Sequence, residues 1–128
     1  MPLNRDQEAV KLIISNSKTV AFNEVVLNLL KALETAEYQL RVDIENDLVK
    51  MGKMSVNELV NVLDSSDMNV RSHSAMALIR IGTDSIKPLL NKYKKYPNYH
   101  WMLSFIILEI TGSTDLLDYD NYYDSLAS

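Results

Sequence analysis

The chain has no cysteine, which excludes a disulfide scaffold, a thiolate metal site and cysteine catalysis. Its 128 residues include only three glycines and three prolines, so few turns are compulsory. No two glycines are neighbours, which excludes a glycine-rich phosphate loop. The longest apolar stretch, residues 101–110, is interrupted by Ser104 and Glu109 and is about half the length a membrane span needs. Residues 1–8 lack a basic start followed by an apolar run, so no signal peptide is expected, and a cytoplasmic location is. Basic residues are too few for general nucleic-acid binding: the formal net charge is −4. What is present is an ordinary globular composition, 47% apolar and 23% charged, which argues against disorder. Leu, Ile, Val, Ala, Glu and Lys lean it towards helix. The length suits one domain with one core, residues 1–128.

The glycines carry the first positive signal. Gly52, Gly82 and Gly112 are thirty residues apart. In the same frame Val26, Val56 and Ile86 form a column, as do Leu29, Leu59 and Leu89. Leu30, Val60 and Leu90 form another, followed by Leu48, Leu78 and Leu108. Arg41 matches Arg71, and Trp101 stands in their column. Glycines plus four apolar columns define an internal repeat, with units at 20–52, 53–82 and 83–112.

Each unit reads as two helices. Ser55, Val56, Asn57 and Glu58 have the form of a capping box, and Val56, Leu59, Val60 and Leu63 recur at helical spacing. Residues 64–67 read as a turn and cap, after which Val70, Ala77, Leu78 and Ile81 share one face and Gly82 ends the second helix. Pro88 falls in the first turn of the next helix, where no intrahelical bond is lost. The last partner helix is expected over about residues 98–111. A helix pair cannot bury its apolar face alone, so neighbouring units stack and the ends need covering. Residues 4–16 read as an N-terminal cap helix, with Asn4 and Gln7 at capping-box positions. Residues 113–128, net charge −4, read as an acidic C-terminal cap or tail, with Leu116, Tyr119, Tyr123 and Leu126 on one side.

The run Asp67, Val70, Arg71, Ser74, Ala77, Leu78, Ile81, Gly82 resembles the second helix of a short HEAT-like repeat of the bacterial and archaeal type. Ile86, Lys87, Pro88, Leu89 and Leu90 are similar to the proline-containing first helix of that family. The resemblance is close over 55–90, fair over 91–112 and degenerate over 20–52, where Asp47 occupies the small-residue column. It implies an all-α, right-handed α-solenoid of helical hairpins with N- and C-terminal capping helices, and it specifies fold far better than function.

No catalytic constellation is found, and the chain is read as a non-enzyme without metal or cofactor. His73 aligns with Leu103, so the two histidines lie on different faces. Asp118, Asp120 and Asn121 lack the glycine and terminal glutamate of a calcium loop. Arg41 and Arg71 are expected to brace the inter-helix turns, through partners such as Asp64 or Asp67, or else to meet an acidic partner. Lys92, Lys94 and Lys95 close a helix, where cations suit its dipole.

The second helices line the concave side of such a stack. The last of them is apolar nearly all round and must be covered. Residues 115–126 are expected to shield Phe105, Leu108 and the side of Trp101. Met76, Met102 and Ile106 are expected to stay partly exposed beside Arg80; with Arg71 and Trp101 they are the candidate partner-binding residues. The leading reading is a protein–protein interaction or adaptor module that binds another protein through the concave face of its stacked hairpins, and neither nucleic acid nor membrane. The alternatives are an immunity-type inhibitor masking a basic toxin or enzyme, and, by the resemblance, an accessory for pigment attachment. DNA binding ranks last, since Arg71, Arg80 and Lys50 are its only concave candidates. A homodimer through the C-terminal end is a further arrangement.

Overall fold

The computed structural model describes Gln7 and residues 22–113, and within residues 22–113 six α-helices follow one another. They are α1 (Phe22–Ala32), α2 (Tyr38–Met51), α3 (Val56–Asn61), α4 (Met68–Ile81), α5 (Ile86–Lys95) and α6 (His100–Thr111). Short 3-10 turns at Gly52–Ser55, Thr83–Ser85 and Pro97–Tyr99 lead into α3, α5 and α6. Among the described residues every regular element is helical, and no helix is long and apolar enough to cross a membrane.

The helices pack in two rows. α1 touches α3 and α3 touches α5; α2 touches α4 and α4 touches α6. Each first helix also packs on the second helix that follows it. The sequence columns explain this. Val26, Val56 and Ile86 are buried, as are Leu29, Leu59 and Leu89, and Leu30, Val60 and Leu90. Residues 51–60 and 81–90 repeat the same order of buried, half-buried and exposed positions. Leu33, Ile44, Leu48, Leu63, Ala77 and Leu78 join these columns in one apolar cluster between the rows.

Polar devices repeat as well. Gly52 and Gly82 end α2 and α4 with φ 57° and 85° and ψ −131° and −133°, a combination open almost only to glycine. The chain then turns at once into the next first helix. Ser55 and Ser85, three residues on, are fully buried, and their hydroxyls donate to the carbonyls of Leu48 (3.1 Å) and Leu78 (3.0 Å). The capping box expected at Ser55 is therefore absent. The preceding 3-10 turn keeps Ser55 in a helical conformation, and its hydroxyl serves the helix behind it. Asp67 does cap α4, accepting from the Val70 N–H at 3.0 Å.

The arginine column braces the turns through carbonyls rather than through Asp64 or Asp67. Arg41 Nη1 donates to Ala36 O (2.8 Å) and Arg71 Nη1 to Ser65 O (2.6 Å). Lys92 also departs from expectation: it is buried, and its ammonium donates to Val60 O (3.0 Å) with Asp64 at 3.8 Å, so it caps the end of α3 rather than the end of its own helix.

The third unit slips by one residue. His100, not Trp101, does the work of the arginines: its Nε2 meets the Tyr93 carbonyl at 2.7 Å while its ring stacks on Tyr93. Leu103, Ile106 and Ile107 are fully buried, twenty-nine residues after Ser74, Ala77 and Leu78. Leu108, placed in the leucine column by the thirty-residue frame, is exposed. Gly112 still ends the helix, but with ψ 8°, an ordinary left-handed cap.

Of the N-terminal cap helix expected over 4–16, only Gln7 is described; it is helical, and its side chain donates to Asp43 Oδ2 at 3.2 Å. The C-terminal cap expected over 113–128 lies, beyond Ser113, outside the described residues.

Candidate functional site

The one-residue slip decides which side chains of α6 meet water. With Leu103, Ile106 and Ile107 turned to the core, Trp101, Phe105 and Leu108 fall on the opposite side of the helix, at spacings of four and three. They are 73%, 52% and 41% exposed. In the twenty-nine-residue register Phe105 matches Met76, which is 48% exposed on α4, and Trp101 matches exposed Ser72. Since α4 packs on α6, Met76 holds on the neighbouring second helix the outward position that corresponds to Phe105, and the four side chains are read as one apolar strip.

The six sequence candidates separate accordingly. Trp101 and Met76 belong to this strip. Ile106 does not: it has no exposed surface and takes the place of Ala77 in the core. Met102 is half-buried and packs on the core. Arg71 is half-buried and held by the Ser65 carbonyl. Arg80 stays partly open at the edge of the strip but is engaged, its Nη1 donating to Glu45 Oε2 and Asn46 Oδ1, each at 2.8 Å. Phe105 and Leu108, expected under a C-terminal cap, are on this face too; the segment expected to cover them lies, beyond Ser113, outside the described residues. The signal that would have found this pair is His100: aligning it with Arg71 gives the twenty-nine-residue register directly.

Beside the strip lies a polar strap between α2 and α4. Glu45 is largely buried, and its carboxylate bonds His73 Nδ1 (2.9 Å) through one oxygen and Arg80 through the other. A carboxylate acceptor fixes the proton of a neutral His73 on Nδ1. Further along α2, burial holds the Asp47 carboxyl above the ordinary carboxylate value; the Lys50 ammonium opposes this, and the Asp43 carboxylate adds to it. Among the described residues no group of three or more His, Asp or Glu side chains is placed to hold a metal ion.

Comparison with family models, with characterised proteins and with solved structures finds no significant match.

The strip can therefore be read only by its own chemistry. It presents an indole, a phenyl ring, a thioether and a leucine on rigid helices, with Arg80 and Glu109 at its rim. Aromatic residues, Met and Arg are the types enriched where proteins meet.

Proposed function

We propose that this chain is a non-enzymatic protein-interaction module. In this reading it is a right-handed α-solenoid of three HEAT-like hairpins that binds another protein through the outer side of its second helices. The observation that carries the proposal is the exposed strip of Trp101, Phe105, Leu108 and Met76 on α4 and α6. Isolated exposed apolar residues are common on soluble proteins, but a contiguous aromatic group on packed helices is the usual form of a binding centre. The rigidity of the helices limits the ordering cost of association. Of the candidate contacts, Trp101 and Phe105 would contribute most, as large side chains with few rotatable bonds.

The test compares three versions of the full chain as bait in a lysate of the native cells: the unaltered protein, Trp101→Ser with Phe105→Ser, and Met54→Ser. Met54 is as exposed as Phe105 but lies in the 3-10 turn before α3, away from the strip. A partner held at fixed stoichiometry by the unaltered protein and by Met54→Ser, and lost with the double variant, is the expected result. Equal retention by all three would refute a binding role for the strip.

A further inference from the structure

We propose that a second surface, the groove between first helices α3 and α5, binds an extended peptide segment carrying two acidic residues about four positions apart. The groove consists of two adjoining hollows, of about 370 and 430 Å³, that share Asn57 and Pro88 in their walls. It lies between the first helices, separate from the strip on the second helices, and the inference does not depend on the reading given to that strip.

The chemistry of the groove is laid out along its length. At one end stand Lys53 and Lys87 with Asp84. At the other stand Lys92 and Lys95 with Asp64. Each end thus sets two lysines against one aspartate and keeps one net positive charge. Lys92 is committed to Val60 O and Asp64, which leaves Lys95 exposed to meet an anion at that end. Lys53, Lys87 and Lys95 are exposed and make no ion pair among the described residues.

Between the two ends the walls carry Asn57, Asn61 and Asn91. Within the described residues none of these three amides has an intramolecular hydrogen bond. A side-chain amide offers donors and an acceptor together, which matches the alternating N–H and C=O of an extended backbone. Pro88 and Val60 give the groove an apolar component against which an intervening side chain can rest.

Spacing selects the ligand class. Lys87 and Lys95 are eight residues apart on one helix, on the order of 12 Å along its axis. An extended peptide covers on the order of 13 Å in four residues. Two acids at that separation would each reach one cationic end, with the intervening backbone over the asparagines. A polynucleotide, with phosphate charge at every step, would meet Asp64 and Asp84 as well as the lysines, and the protein as a whole is acidic. The arrangement therefore favours spaced acids over continuous negative charge.

The probe is a fluorescein-labelled twelve-residue peptide with aspartate at every fourth position and alanine or asparagine between, titrated with the full chain and read by fluorescence anisotropy. Saturable binding that weakens as salt is raised is expected. Replacing the aspartates with asparagines should weaken it at least tenfold, as should Lys87→Glu with Lys95→Glu in the protein. Lys50→Glu, an exposed change on α2, should leave it unchanged. Trp101→Ser with Phe105→Ser should also leave it unchanged, which separates this proposal from the one above. Circular dichroism confirms that each variant is folded. No saturable binding, equal binding of the uncharged peptide, or insensitivity to the Lys87 and Lys95 changes would overturn the proposal. So would equal or tighter binding of a single-stranded oligonucleotide lost on the same changes, since the groove would then be a general polyanion site.

Discussion

Ser74 and Ser85 are both fully buried, yet truncation to alanine should affect them in opposite directions. The Ser85 hydroxyl donates to the Leu78 carbonyl, whereas the Ser74 hydroxyl is buried without a partner among the described residues. A net intramolecular hydrogen bond is worth about 0.5–1.5 kcal/mol, and a buried unsatisfied group costs about 1–3 kcal/mol. Ser85→Ala should lower stability by about 1 kcal/mol, and Ser74→Ala should raise it by a similar amount, as measured by urea denaturation. Asp47 offers a second residue-scale check. Its carboxyl is held above 3.8 mainly by burial, so the folded protein binds the proton more tightly than the unfolded chain does. Stability contributed by the protonated form is then lost as pH rises from the unfolded value through the folded one, and the penalty is constant above that window. The stability gained by Asp47→Asn, relative to the unaltered chain, should grow as pH rises from below 3.8 and then level off. A gain that shrinks with rising pH would mean that the carboxylate is favoured in the fold. Asp47→Ala, which restores the residue found at 77, should add about 0.5 kcal/mol from helix propensity alone.

At the scale of the element, the register of α6 is the sharpest point. Ile106→Lys would place an unpaired charge in the core and should cost upwards of about 4 kcal/mol, enough to unfold a domain of ordinary stability. Leu108→Lys should change stability by less than about 1 kcal/mol, because Leu108 faces water. The thirty-residue frame predicts the reverse order, so chemical denaturation of these two variants decides between the registers. Most of the elements could be read from the sequence because their signals were redundant: Leu29, Leu59 and Leu89 share a column that the flanking Val26, Val56 and Ile86 reinforce. The register of α6 could not, because the helix is apolar on nearly every side and any face could have been the buried one. Gly112 also kept the thirty-residue spacing, which hid the slip. Ser55 and Ser85 escape the sequence reading for a related reason: serine before a helix has the form of a cap, while here it occupies a buried column with Val25 and bonds backwards to the preceding helix. The turn-bracing arginines were foreseen as braces, but their acceptors are carbonyls, which carry no mark in the sequence.

For the whole molecule, the slip ties the fold to the proposed function. It buries Ile106 and turns Trp101, Phe105 and Leu108 outward beside Met76, so the surface assigned to a partner follows from the packing of the last unit. Two of the six candidate contacts, Trp101 and Met76, lie on that strip, with Arg80 at its edge. Ile106, Met102 and Arg71 serve the core or a turn. The first-helix groove, with its spaced lysines and asparagines, gives the other side of the molecule a different chemistry, suited to an acidic segment rather than an apolar one. Site-specific photocrosslinking separates a strip that binds a partner from one that is merely exposed. Benzoyl-phenylalanine is placed at position 105, and separately at position 54 as an exposed control, in the full chain within native cells. One discrete adduct with another protein is expected from position 105, and none of that mass from position 54. The absence of an adduct at 105, or the same adducts from both positions, would contradict a binding role for the strip.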